Sequence, residues 1–277
     1  MELESQLEGF RKRGLGVAAL SYDSVEVLKD FATRRRITYP LLSDPESRII
    51  RAFGIINEID YPEGHANHGI PFPGTFVANE KDIIESKEFE KAYQERRTAA
   101  SLLTAQGDTP GAPVQETRND QFTLRTSASN AEVAAGHRVT LVLDFTMGPH
   151  MHAYAPGAKG YKPLNFRLGE NSLVAPHNVI YPISRPYRFE PLDETVPVYE
   201  GRFRVLQDVT VIGPPRGSAG APAAPVTEID LGGTLDYQVC SDQVCYAPAS
   251  MPVHWTLKLI PLDRERAPEG LRKKPQP

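Results

Sequence analysis

The spacing of apolar positions changes character about a third of the way along the chain. Leu3, Leu7 and Phe10 recur at helical intervals and predict a helix that stops at Gly14, after Arg11-Lys12-Arg13. Gly16 to Tyr22 is a short apolar run with the character of a buried parallel strand. Asp23 or Ser24 is placed to cap a helix running to Arg35, with Val25, Leu28 and Phe31 or Ala32 turned inward. Residues 37–42 predict a second strand. Ser43-Asp44-Pro45 then opens a helix that carries Ile49, Ile50 and Phe53 and ends at Gly54. Strands over 74–78 and 83–87, joined by Asn79-Glu80-Lys81-Asp82, predict a hairpin, and residues 90–103 a closing helix. Alternating helices and strands followed by a hairpin and a helix indicate an α/β domain with a mixed sheet over residues 1–103.

Residues 104–120 are polar, rich in Gly and Pro, and without periodicity, which predicts a linker. Beyond it the helical pattern is gone. Short strand-like runs at 121–127, 137–147, 164–169, 177–182, 202–212, 227–239 and 253–260 are separated by Gly, Pro and Asn. That succession predicts an antiparallel β-sandwich over residues 121–262. Residues 214–225 form a low-complexity loop between strands, and residues 263–277 a charged, Pro-rich tail predicted to be disordered. The expected fold class is therefore α+β, in two domains.

A formal net charge of -4 gives no footprint for nucleic acid. No apolar run approaches the roughly 18 residues that cross a bilayer, so no membrane insertion is expected. Met1 is followed by Glu-Leu-Glu rather than by a basic segment and an apolar stretch, so the sequence as it stands reads as cytoplasmic. Cysteine usage points elsewhere. The two cysteines, Cys240 and Cys245, flank Ser-Asp-Gln-Val between strand-like segments, a loop length suited to a hairpin. Facing residues of an antiparallel pair lie within disulfide reach, and disulfides belong to oxidising compartments. Closing so short a ring constrains the unfolded chain by only about 2 kcal/mol. A local pair opens and closes with little disturbance to the fold, as thiol–disulfide exchange requires. The residues alone leave a redox pair and a structural bridge both open. A third reading is a copper or zinc site built from His150, Met151 and His152 with the cysteines. His65 and His68 lie in a polar loop whose spacing gives no ligand pattern. Asp242, between the cysteines, would raise their pKa values.

Two resemblances sharpen this. The segments FRKRGLGVAALSYDS, ITYPLLSDPESRIIRAFGI and IPFPGTFVANEKDII make residues 1–103 resemble the AhpC/TSA branch of the thioredoxin fold. The family's reactive cysteine would precede the first helix, and this stretch holds no cysteine, so the resemblance implies a domain lacking its first strand and its thiol. It also marks Pro73 as the position of the cis-proline beside the active site. If the true start carries a signal, the protein is expected in the periplasm or another extracytoplasmic space. YQVC-x4-CYAP, HAYAPG and VPVYEGRF make residues 121–262 resemble the N-terminal (α) domain of the thiol–disulfide interchange protein DsbD. That resemblance implies an immunoglobulin-like sandwich exchanging electrons through Cys240 and Cys245, with no cofactor, to a thioredoxin-like or membrane electron-relay partner. It further implies attack at Cys245 and a cap over residues 186–195, with Phe189 or Tyr187 as its lid unless these aromatics are simply packed core. Tyr154 and Tyr237 are candidates to line the site, the alternative being that each is an ordinary sandwich residue.

Overall fold

The computed structural model describes the chain except residues 1, 66–67, 90–94, 108–112, 190–192, 215–225, 264, 266–267 and 272–277. It divides into two compact units, residues 1–103 with 262–277, and residues 104–261.

In the first unit the expected opening helix is broken at Gln6 into α1 (Glu2–Ser5) and α2 (Leu7–Lys12). Strand β1 (Ala19–Ser21) pairs in parallel with β2 (Leu41–Ser43), both shorter than the apolar runs that predict them. Between them lies α3 (Val25–Arg35), whose N-cap Ser24 accepts the N–H of Val27 and whose C-cap Arg36 takes the left-handed conformation. Leu28 is its buried residue. Val25 is 65 % exposed, because it opens the first turn before the apolar face closes. The short α4 (Arg48–Ala52) is held by the Asp44 carboxylate, which accepts the N–H groups of Arg48 at 3.0 Å and Ile50 at 2.9 Å. Five residues bury one side chain, Ile50, and leave Ile49 about half exposed, as is the C-cap Phe53. Strands β3 (Gly74–Ala78) and β4 (Ile84–Phe89) form the expected hairpin. Among the described residues the two ladders remain separate two-stranded sheets rather than one mixed sheet.

The closing helix is also shorter than its pattern. After β5 (Arg96–Arg97), α5 spans Ala99–Ala105. The Thr98 hydroxyl and the Glu2 carboxylate accept the N–H groups of its first turn, at 3.1 Å for Ser101 and 2.9 Å for Ala99 and Ala100. No described peptide bond is cis, so Pro73 follows an ordinary trans bond, a correction to the expected cis-proline. The tail is partly ordered: Asp263 and Glu265 pair with Arg34 and Arg35, and Glu269–Leu271 makes a 3₁₀ turn.

The second unit is the sandwich. One sheet has the strand order β12-β15-β9-β7-β6, from β6 (Gln115–Arg118), β7 (Phe122–Ala128), β9 (His137–Met147), β12 (Val174–Ile180) and β15 (Arg202–Val211). Strand β6 falls inside the expected linker. Its burial is low, so no hydrophobic signal announces it, and only its ladder to β7 makes it a strand. The opposing sheet runs β11-β16-β18-β8, from β8 (Glu132–Val133), β11 (Asn165–Leu168), β16 (Glu228–Tyr237) and β18 (Ala249–Leu259). Alternation along β18 buries Val253, Trp255 and Leu257 while the residues between them face outward. These side chains, with Leu231, Leu235, Phe122, Leu124, Leu141, Leu143 and Phe145, form one continuous core. The Trp255 indole N–H, buried with its ring, donates to the Ser127 carbonyl at 2.8 Å. At Gly233 a Cβ would come within 2.7 Å of the Phe166 ring and 3.0 Å of the Arg167 carbonyl, so glycine lets β11 cross close to β16.

A third sheet, β13-β14-β10-β17, extends the sandwich. It comprises β10 (His152–Tyr154), β13 (Arg185–Phe189), β14 (Glu194–Glu200) and β17 (Val239–Cys240). Three of these strands were not expected: β10 is only three residues long, β13 buries no residue fully, and Pro197 interrupts the apolar run of β14. Truncating Leu231, 1 % exposed in the core, to alanine should lower the unfolding free energy by roughly 2–5 kcal/mol. The Ile183→Ala change, at a side chain 98 % exposed, should leave it within about 0.5 kcal/mol. Urea unfolding of both variants checks the pair.

Candidate functional site

Alternation along the third sheet decides what meets what. Ala153, Tyr199 and Val239 point into the main core. Tyr154, Val196, Val198 and Cys240 point to the opposite face and form a smaller cluster of their own, against which Ala158, Tyr161 and Tyr187 pack. Cys240 is therefore a strand residue, 1 % exposed, lying opposite His152 in the β10–β17 register. Cys245 lies on the exposed side of the following loop. The two are joined by a disulfide with a Cα–Cα distance of 4.1 Å.

The loop between them is built locally. The Ser241 N–H donates to the Val244 carbonyl at 2.8 Å, and the Ser241 hydroxyl accepts the N–H groups of Gln243 and Val244 at 3.2 and 3.0 Å. On the far side, Tyr246 N–H returns to the Val239 carbonyl at 3.0 Å. The Gln238 side chain accepts from Lys162 N–H and donates to the Tyr246 carbonyl. The ring around the disulfide is thus fixed to the sheet at both ends, while Gln243, Val244, Cys245 and Tyr246 face outward.

Tyr154 reaches both sulfurs. Its hydroxyl lies 3.1 Å from Cys240 Sγ and 3.7 Å from Cys245 Sγ. A disulfide sulfur carries no proton, so the hydroxyl is the donor. The ring stacks on Tyr161 with centroids 4.0 Å apart, and the Tyr161 hydroxyl donates to Glu194 Oε2 at 3.0 Å. Burial pushes the Tyr154 phenol well above its ordinary pKa, and Tyr161 adds to the effect. It therefore holds its proton and acts as a fixed hydrogen-bond donor.

The expected cap residues separate. Residues 186–189 and 194–195 are the facing ends of β13 and β14, and residues 190–192 of the expected cap lie outside the described residues. Tyr187 lies over the cluster, its ring 4.3 Å from that of His152, and its hydroxyl donates to Asp242 Oδ1 at 3.4 Å. Phe189 sits two residues further along the same strand face, opposite Glu194 and outside the cluster. Tyr237 belongs to the main core, edge-on to Phe122 at 5.0 Å, and does not line the disulfide. A β-strand sends alternate residues to opposite faces, and Tyr237 falls on the inner one.

The possible metal ligands diverge. Strand β10 begins at His152, and His150 takes a left-handed turn conformation before it. His150 is exposed and pairs with Asp242 Oδ2 at 3.1 Å. Met151 packs against the main core, and His152 is buried between the Tyr154 and Tyr187 rings. Among the described residues no group of three or more His, Cys, Asp or Glu side chains converges, and the two sulfurs are bonded to each other. In the first unit, a cavity of about 800 Å³ lined by Phe53, Phe72, Phe76 and Phe89 has Asp60 and Lys87 as its charged groups and no cysteine.

These features define a β-sandwich that carries a half-buried, half-exposed cystine, joined to an α/β segment of short helices and two-stranded ladders. Two family models match the chain in succession. Residues 1–87 match the AhpC/TSA family, and residues 119–253 match the family described as thiol:disulfide interchange protein DsbD, N-terminal. Among solved structures, the N-terminal periplasmic domain of ScsB from Proteus mirabilis is similar at 15% identity and a TM-score of 0.34. That match covers 53% of this chain and 50% of that one, so the chain spans about half its length. The DsbD N-terminal domain from Neisseria meningitidis, in the reduced form, is 14% identical with a TM-score of 0.26, covering 43% of this chain and 80% of that one. The GAE domain of GGA2p from Saccharomyces cerevisiae is 13% identical with a TM-score of 0.30, covering 53% and 97%. No curated protein matches the chain. The family matches and the cystine are together consistent with thiol–disulfide interchange.

Sequence reasoning missed Tyr161, Glu194 and Gln238. Tyr161 stands in a Gly- and Pro-rich loop with no periodicity, and its stacking on Tyr154 depends on that loop folding back. Glu194 opens a strand that carries no alternation signal of its own.

Two outcomes follow. Replacing both cysteines by alanine should lower the unfolding free energy by about 2 kcal/mol with the circular dichroism of the sandwich retained, since the loop hydrogen bonds remain. The second concerns pH. The Tyr154 and Tyr199 phenols are both raised in the fold by burial, Tyr199 to about 12. Their contribution is complete below the unfolded value of about 10 and is lost as pH rises above it. Denaturant unfolding at stepped pH should show stability falling from about pH 10 upward, less steeply in a Tyr154→Phe variant.

Proposed function

We propose that the second unit shuttles electron pairs by dithiol–disulfide exchange with a thioredoxin-like or membrane electron-relay protein, Cys245 being the sulfur attacked. One observation carries the reading: the two sulfurs of a single short ring differ in access, Cys240 being 1 % exposed within a strand and Cys245 on an open loop. An incoming thiolate can approach Cys245 without disturbing the sheet. Its attack forms a bond to Cys245 Sγ and breaks the bond to Cys240, which leaves with the electron pair as a thiolate. The second thiol of the partner then attacks the mixed disulfide, its own two sulfurs become oxidised, and Cys245 is released reduced. The same steps reversed oxidise Cys240 and Cys245. Each needs two sulfurs on either side and no cofactor.

Three features support the assignment of roles. The Tyr154 hydroxyl is already aimed at Cys240 Sγ at 3.1 Å, where the negative charge develops. Tyr187 roofs the cluster from β13 and is tied to the disulfide loop through Asp242, which suits a cap that a docking partner displaces. Phe189, further along the same strand face, would be the outer edge of that cap. The first unit offers no thiol, since both cysteines lie in the second, so exchange is assigned to residues 121–262. Residues 1–103 are then the accompanying domain. The ScsB relative is named as a periplasmic domain, and the periplasm is the proposed setting for the cystine.

The test uses a thioredoxin whose resolving cysteine has been replaced, incubated reduced with the oxidised protein. A mixed disulfide should accumulate, and mass spectrometry of the digest should locate it on Cys245. A link found on Cys240 would reverse the roles, and none at all would remove the exchange reading. A Cys245→Ser variant that still passes electrons to the intact partner would be equally fatal to the assigned site.

A further inference from the structure

Attack at Cys245 leaves charge on the sulfur least able to bear it. A thiolate at Cys240 is shielded from water by the sheet beneath it and by the aromatic rings around it, and burying an unpaired charge is costly. The Tyr154 hydroxyl offers one hydrogen bond but keeps its own proton. The face around Cys240 also holds His152, 2 % exposed and directly opposite it across the β10–β17 pair. Residues so placed have Cβ atoms about 4.5–5.5 Å apart and share one face of the sheet. The His152 ring is held between two aromatic neighbours, 5.6 Å from Tyr154 and 4.3 Å from Tyr187.

The titratable groups that face this imidazole come from every strand around it. Cys240 stands opposite on β17, Glu200 opposite on β14, Tyr154 two residues along β10, Tyr187 over it on β13, and Asp242 in the disulfide loop, itself paired with His150. The imidazole alone among them becomes a cation on taking up a proton near neutral pH. In the disulfide form burial keeps it neutral, against the pull of Glu200 and then Asp242. Opening the disulfide puts a negative charge beside it and reverses that balance.

We propose that His152 is the proton acceptor of this site: when Cys240 is released as a thiolate, the proton given up by the incoming thiol ends on the His152 imidazole, leaving an imidazolium–thiolate pair across the two strands. The sum balances. A partner thiol and the cystine become a mixed disulfide at Cys245, a Cys240 thiolate and one proton, and that proton rests on His152. In the reverse direction the same pair supplies Cys240 already as the nucleophile, and the proton leaves with the departing partner thiol. The inference rests on the exchange reading for its biological use. The pairing itself depends only on Cys240 carrying a free sulfur.

The Cys245→Ala variant isolates Cys240 without any need for a reductant or a partner, and the Cys240→Ala/Cys245→Ala variant removes both sulfurs. The His152 ring-proton resonance, identified by its contacts with the Tyr154 and Tyr187 rings, is followed by NMR against pH in each. Its titration midpoint should lie roughly 1–3 pH units higher in the single variant than in the double one. The ultraviolet absorbance of the thiolate should persist at about pH 7, below the ordinary cysteine range, and be lost in His152→Gln/Cys245→Ala. Equal midpoints in the two variants, or a Cys240 thiolate unaffected by His152→Gln, would overturn the proposal. Neither result bears on whether a thioredoxin links to Cys245, so the exchange reading stands or falls separately.

Discussion

The site depends on one sulfur being part of a β-sheet while the other is not. Cys240 is the last residue of a two-residue strand whose ladder to β10 fixes its position to that of the backbone. Cys245 is held by a turn that Ser241 organises from its own side chain. Breaking the bond between them therefore removes a constraint from the loop and little from the sandwich. The long β16–β18 hairpin beneath carries ten register pairs, from Glu228 with Lys258 to Tyr237 with Ala249, and none of them involves a cysteine.

The same alternation sorts the surroundings into a structural and a chemical face. Within β10, Ala153 faces the main core while His152 and Tyr154 turn to the disulfide. Within β14, Tyr199 packs inward while Val196 and Val198 floor the cluster. A side chain that reaches the sulfurs thus has a neighbour in sequence anchored in the core. Short strands can serve here because each is pinned by the core on its other face, which leaves the polar groups with little freedom. Fixed donors beside a buried sulfur cost no reorganisation when charge arrives.

The first unit shows what happens when local patterns lack a continuous sheet to join. Its helices and strands occur in the predicted order, yet α4 buries only Ile50 and the two ladders stay apart. Capping held where it was local: Ser24 and Asp44 both satisfy helix N–H groups at the positions their sequence suggested. Burial did not, because it depends on what lies across from each face. Val25, Ile49 and Phe53 are apolar at the expected intervals and still 65 %, 47 % and 45 % exposed.

By itself the sequence determined the succession of helices and strands in the first unit, the long strands of the sandwich from Phe122 to Leu259, and a five-residue separation of cysteines that suits a closed ring. Those features follow from local periodicity and turn chemistry, which neighbouring residues decide among themselves. Only the tertiary structure decided that β6, β10, β13 and β14 are strands at all: β10 pairs with β14 and β17, both distant in sequence, while β6 and β13, whose partners β7 and β14 follow them directly, bury no residue of their own. It likewise turned Tyr237 into core, set Tyr187 rather than Phe189 against the sulfur cluster, parted His150 from His152, and brought Tyr154 and His152 to Cys240 from nearly ninety residues away. Proximity of that kind is a property of the sheet register, and no stretch of the chain carries it alone.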